Sequence, residues 1–167
     1  MLRAFSKIAK TGTNVAALLV ALSVLTAGDV QAQSTSGISG TLTVSTQYSF
    51  DKLISRLKQS IAENNMGLVA QASASAGAAA RGIRIPGNAV LMVFRNDYAV
   101  RMLNASIPAG IEAPLRIYVT ENKDGTSSIT YRTPSTVFAP YGSNKLNALA
   151  RELDPILARI VSEAAGK

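Results

Sequence analysis

Six apolar residues in a row, Ala89-Val90-Leu91-Met92-Val93-Phe94, constrain this chain more than anything else in it. In an extended strand Leu91 and Val93 face one way, while Val90, Met92 and Phe94 face the other. A strand with no polar face has to be covered twice. The stretch from Leu115 to Glu121 behaves differently. Leu115, Ile117 and Val119 share one face, and Arg116, Tyr118 and Thr120 share the other. Between the two strands lie a short helical pattern, Tyr98 to Ala105, and a Pro/Gly-punctuated connection, Ile107 to Pro114. The spacing thus predicts a sheet whose middle is buried more completely than its flanks. One row of the apolar strand meets helices. The other is expected to lie against a symmetric partner or inside an apolar pocket, since an exposed patch of this kind is an interface or a liability. A covering helix from the same chain, Tyr98 to Ala105 or Ala74 to Ala80, is the alternative.

The flanking sequence supplies the helices. Ser49 is placed to cap a helix carrying Phe50, Leu53, Ile54, Leu57 and Ile61 at helical spacing, with Tyr48 set to staple against Leu53. Lys52, Arg56 and Lys58 fall mostly outside that stripe, and Asn64, Asn65 and Gly67 are expected to close the helix, with Gly67 free to turn left-handed. Before it, Thr41 to Gln47 alternates as a strand; after it come a strand from Leu68 to Ser73 and an Ala/Ser/Gly helix from Ala74 to Ala80. Pro86-Gly87-Asn88 turns the chain into the apolar strand, and Asn96 or Asp97 can cap the helix that follows. Asp124-Gly125 marks a hairpin turn returning through Ser127 to Arg132, and Thr133-Pro134 ends that strand. Ser143 caps a last helical region striped with Leu146, Leu149, Leu153, Leu157, Ile160 and Val161. A kink or restart is expected in it at Asp154-Pro155. The fold class is α+β: an antiparallel-rich sheet with helices packed on one face.

The composition removes whole classes of chemistry. The 167 residues include no cysteine and no histidine. Thiol nucleophiles, disulfides and iron–sulfur clusters are excluded, as are Ser-His-Asp triads and ordinary zinc sites. No metal site and no cofactor are expected. Any acid–base work would fall to carboxylates, and Asp97 with Glu121 is the pair to nominate. Arg95 and Arg101 lie close by in sequence and would more naturally hold such carboxylates in ion pairs. The polar face of the last two strands presents Arg116, Tyr118, Thr120, Thr130 and Arg132. Arg116 with Arg132 suits an anionic ligand, because guanidinium forks match carboxylates and phosphates. A single tyrosine is a thin platform for stacking bases, and no run of five like charges occurs, so no nucleic-acid partner is expected. The candidate ligand or interface residues are therefore Val90, Met92, Phe94, Arg95, Asp97, Arg101, Arg116, Tyr118, Glu121 and Arg132.

Residues 1–32 read as a cleaved secretory signal. Arg3, Lys7 and Lys10 precede an uncharged, mostly apolar stretch from Val15 to Ala27, and Val30-Gln31-Ala32 offers a cleavage site. That stretch is too short to span a bilayer, which takes roughly 20 apolar residues. Residues 33–40 form a Gly/Ser-rich flexible lead-in, and 41–167 a single domain. The expected location is the periplasm or the medium outside a bacterial cell, with no stable membrane insertion once the signal is removed.

The order of these elements resembles the domain of unknown function 302 family. The resemblance is carried by the capped helix, Arg81-Gly82, the apolar strand ending Phe94-Arg95-Asn96-Asp97, and the run Ile111-Glu112-Ala113-Pro114-Leu115-Arg116-Ile117-Tyr118-Val119-Thr120-Glu121. The turn at Asp124-Gly125, the Tyr131-x-x-Pro134 pairing and the closing helix continue it, over about Thr41 to Ala164. It implies a fold like the TATA-binding-protein-like class, often dimeric, with no established activity. Many members carry Asp-His near the second strand, where this chain has Ser73 and Ala74. Together the expectation is an exported, non-catalytic binding or interaction module, partnered by a second copy in a homodimer or by an unknown small molecule or protein. The alternative is a cofactor-independent enzyme using Asp97 or Glu121.

Overall fold

A computed structural model describes residues 40–167. The signal segment and all of the lead-in except Gly40 lie outside the described residues. Five strands, β1 (Thr41–Ser45), β2 (Gly67–Ala72), β3 (Asn88–Phe94), β4 (Leu115–Glu121) and β5 (Ser127–Arg132), form one sheet in the order β1-β5-β4-β3-β2. Every neighbouring pair is antiparallel. The helices are α1 (Phe50–Glu63), α2 (Ala74–Ala79), α3 (Asn96–Ala105), α4 (Pro134–Phe138) and α5 (Asn144–Ala165), with a 3-10 turn at Ile107–Glu112. They pack on one side of the sheet, giving the α+β architecture expected.

Alternation explains which side. Ala89, Leu91 and Val93 of β3, Leu115, Ile117 and Val119 of β4, and Ile129 and Tyr131 of β5 are all buried. They face the stripes of α1 (Leu53, Ile54, Leu57, Ile61) and α5 (Leu146, Leu149, Leu153, Leu157, Ile160, Val161), and the whole set forms one core. Burying a leucine or isoleucine side chain contributes about 1.5–3 kcal/mol, so these stripes outweigh any surface pairing. The opposite row of β3, Val90, Met92 and Phe94, is only half-buried. With the helices on the other side of the sheet, α2 and α3 do not cover Val90 and Met92; only Phe94, at the strand's end, shares a small cavity with Tyr98, Ala99 and Met102 of α3.

Local expectations fail where the backbone found another partner. Asn65, with φ of 55°, takes the left-handed position after α1, and Met66 N–H bonds back to the Ile61 carbonyl at 3.0 Å. Gly67 instead begins β2. The N-cap of α3 is Arg95, so Asn96 and Asp97 sit inside the helix. No restart occurs at Pro155. Helix α5 runs through it, with Pro155 exposed. Asp154, expected to cap a new helix, accepts instead from the Ser135 N–H at 2.9 Å and from its hydroxyl, and so ties α4 to α5.

Arg56 does not point away. Its Nε and Nη2 donate to the Ala164 and Glu163 carbonyls at 2.7 and 2.6 Å, capping the C-terminus of α5. Gly40 is not a free linker residue either. Its carbonyl accepts from Thr133 N–H at 3.3 Å, and a Cβ there would meet Thr136 Oγ1 at 2.1 Å.

Candidate functional site

The charged residues around the end of β3 form a structural network. Arg95 grips Asp97 through Nε–Oδ1 at 2.7 Å and Nη2–Oδ2 at 3.0 Å, and its guanidinium lies 4.0 Å from the Tyr98 ring centre. Arg101 approaches the same ring at 5.6 Å and holds Glu152 of α5 in a two-pronged pair at 2.8 and 2.7 Å. The hydrogen bond from Arg95 holds the Asp97 carboxyl below its ordinary range, and Arg101 does the same to Glu152. Both pairs are open to solvent, so they orient α3 more than they stabilise it.

Glu121 is elsewhere. Its Oε2 accepts from Gly87 N–H at 2.7 Å at the start of β3, whereas Asp97 follows the end of that strand. The β3–β4 ladder, which pairs Asn88 with Thr120 and Val93 with Leu115, lies between them. At about 3.3 Å per residue the two carboxylates are on the order of 20 Å apart. They cannot share a substrate, and the expected pairing of Asp97 with Glu121 is corrected on that ground.

The helix-free face of the sheet brings the other candidates together. Cross-strand register sets them in rows. Ala72, Val90, Tyr118, Thr130 and Thr43 make one row, with Thr43 and Thr130 hydroxyls bonded at 2.9 Å. Ala70 pairs with Met92 and Met92 with Arg116, while Arg132 pairs with Thr41. Carried one step beyond the Ile117–Tyr131 pair, the register sets Arg116 opposite Arg132. The face is therefore divided: apolar over β2 and β3, polar and cationic over β4, β5 and β1.

At the Arg116–Arg132 end a cleft of about 240 Å³ opens, lined by Thr41, Glu112, Leu115, Tyr118, Thr130 and Val137 beside the two arginines and Tyr131. Arg132 lines it, with its Nε buried and without a hydrogen-bond partner among the described residues. Glu112 stands 3.9 Å from Arg116 Nη2, a loose pair, and its other oxygen accepts from the Tyr141 hydroxyl at 2.9 Å. That bond raises the Tyr141 hydroxyl above the ordinary phenol range. Glu112 and Tyr141 were missed in the sequence because they sit in irregular connections, where no periodicity assigns a side. Among the described residues no group of acidic side chains is arranged to hold a metal ion.

Ser73 caps α2 by accepting from Ala76 N–H at 3.1 Å and donates to the Asn88 carbonyl at 2.7 Å.

A family model described as domain of unknown function DUF302 matches residues 42–164. Comparison with curated proteins gives no match. Among solved structures, the crystal structure described as the uncharacterized conserved protein DUF302 from Bacillus stearothermophilus is similar. The TM-score is 0.68 at 21% identity, over 76% of this chain and 99% of that one. At that identity the likeness speaks for the fold alone.

Proposed function

The chain belongs to the DUF302 family, and from that premise we propose that it is an exported, non-catalytic binding module that works through the helix-free face of its sheet. The observation that carries this reading is the row Val90, Met92 and Phe94, half-buried on the side of the sheet away from the helices, beside a cleft with two arginines. Apolar surface left beside unneutralised charge is costly in a protein with no use for it. The N-terminal pattern of charge, apolar stretch and small residues supports export. No helix among the described residues is long and apolar enough to cross a membrane. The wide separation of Asp97 and Glu121 weighs against the acid–base alternative.

A homodimer is the second reading, favoured by the apolar half of the face. Two copies offset over β2 and β3 would cover Ala70, Val90, Met92 and Phe94 while leaving the arginines outside. Light scattering on the chain from Gln33 onward tests both. The expected outcome is a dimer that Met92→Glu converts to monomer, or a monomer from which native mass spectrometry recovers a bound small molecule. A monomer that carries nothing, with Met92→Glu unchanged in every association assay, overturns the proposal.

A further inference from the structure

Two arginines facing each other across neighbouring strands are an unfavourable arrangement. Like charges directly opposite destabilise a sheet, and here Arg116 and Arg132 share one face with a single carboxylate, Glu112, drawn aside by Tyr141. Arg132 adds a second cost, because its Nε is buried with no acceptor. A buried donor without a partner loses its hydration and regains nothing. The repulsion is relieved when an anion places its oxygens between the guanidinium ends.

We propose that this cleft is a binding site for the carboxylate of an amphiphilic monoanion, such as a fatty or aryl carboxylate, whose apolar body lies across Tyr118, Met92 and Val90. The inference rests on the helix-free face being the binding surface, and it names the class of ligand. Charge selects the head. Two guanidiniums against one carboxylate leave a single positive charge to neutralise, which suits a monoanion and disfavours the dianion of a phosphate monoester next to Glu112. Guanidinium forks also match the planar carboxylate in geometry. The walls select the body. Leu115 and Val137 line the cleft itself, and Met92, opposite Arg116, and Val90, opposite Tyr118, continue the apolar surface away from the arginines. A second copy of this chain is a poorer occupant of the cationic end, since it would bring two further guanidiniums to it.

Decanoate is the probe, with decanol and decyl phosphate as matched controls, measured by calorimetry and by the shift in thermal midpoint. Decanoate binds, and decanol and decyl phosphate bind more weakly, decanol by about tenfold or more because it cannot accept charged hydrogen bonds. Arg132→Gln and Arg116→Gln each weaken decanoate by about tenfold or more while leaving the ligand-free midpoint unchanged or higher, since each relieves like-charge repulsion. A purely structural arginine would lower that midpoint. If Arg132→Gln fails to fold, Arg116→Gln, whose side chain is 63% exposed, carries the test. No decanoate binding, equal affinity in the arginine variants, or tighter decyl phosphate overturns the site. A dimer that decanoate neither promotes nor dissolves and that Met92→Glu abolishes also overturns it, placing a second copy on the face instead. In that case the wider reading of the face stands, whereas a Val90→Glu or Met92→Glu variant indistinguishable from wild type in every association removes both.

Discussion

Arg56, Ser60, Asn64 and Glu163 show what single residues do that patterning does not announce. On sequence Arg56 and Ser60 are two polar positions on the flank of an amphipathic helix. In the structure Ser60 Oγ and Asn64 Nδ2 each donate to Glu163 Oε2 at 2.7 Å, while Arg56 covers the last carbonyls of α5. The Ser60 bond, then the Asn64 bond, hold the Glu163 carboxyl below its ordinary 4.5. A carboxyl whose folded value is depressed adds stability that is present above the unfolded value and is lost as pH falls through the folded one. Glu163→Gln should therefore lower the thermal midpoint at neutral pH and converge on wild type in acid. Ser60→Ala should raise the Glu163 titration midpoint, read by carboxyl NMR. Contacts of this kind join residues 103 positions apart, and a sequence read locally has no signal for them. Ser143 is the contrary case, since its hydroxyl caps α5 by accepting from Leu146 N–H at 3.3 Å, as its position suggests.

Elements were far more legible than contacts. The 3.6-residue stripe of α1 and the alternation of β4 follow from burial of one face, and both lie where periodicity puts them. Helix α5 is the exception. A proline in a helix interior costs about 3 kcal/mol and argues for a break, yet the buried stripe on both sides of Pro155 holds the helix continuous at 22 residues. Tertiary packing outbid propensity. Pro155→Ala should therefore stabilise the domain by about 1–2 kcal/mol, the restored hydrogen bond being partly offset by a freer unfolded chain. Urea unfolding reads this directly. A loss of stability would mean that Pro155 itself is needed for the fit of α5 against the sheet. The strand β3 was legible in one respect and illegible in another: its burial on the helix side followed from pattern, but the pattern does not say what meets the half-buried second row.

At the scale of the molecule, an open sheet has two edges. One is β2, Gly67-Leu68-Val69-Ala70-Gln71-Ala72, which carries no charge at all, and Val69 is 54% exposed at a break in the register. Edges of this composition invite pairing with other chains, and a bulge is one of the few devices that discourage it. Val69→Lys should reduce turbidity on heating without changing the cooperative unfolding midpoint, followed by light scattering alongside circular dichroism. A fall in the midpoint would show that Val69 is packed more firmly than its exposure suggests.

The sheet order also sets a timetable. Strand β1 finds its only neighbour among the described residues in β5, with Thr43 and Thr130 87 positions apart, and α1 is clasped by the last turn of α5, 108 positions downstream. A chain emerging N-terminus first from a ribosome cannot seat β1 and α1 until nearly its last residue has appeared. Long-range pairing of this kind delays folding. That delay leaves the domain to close late, when its two ends meet.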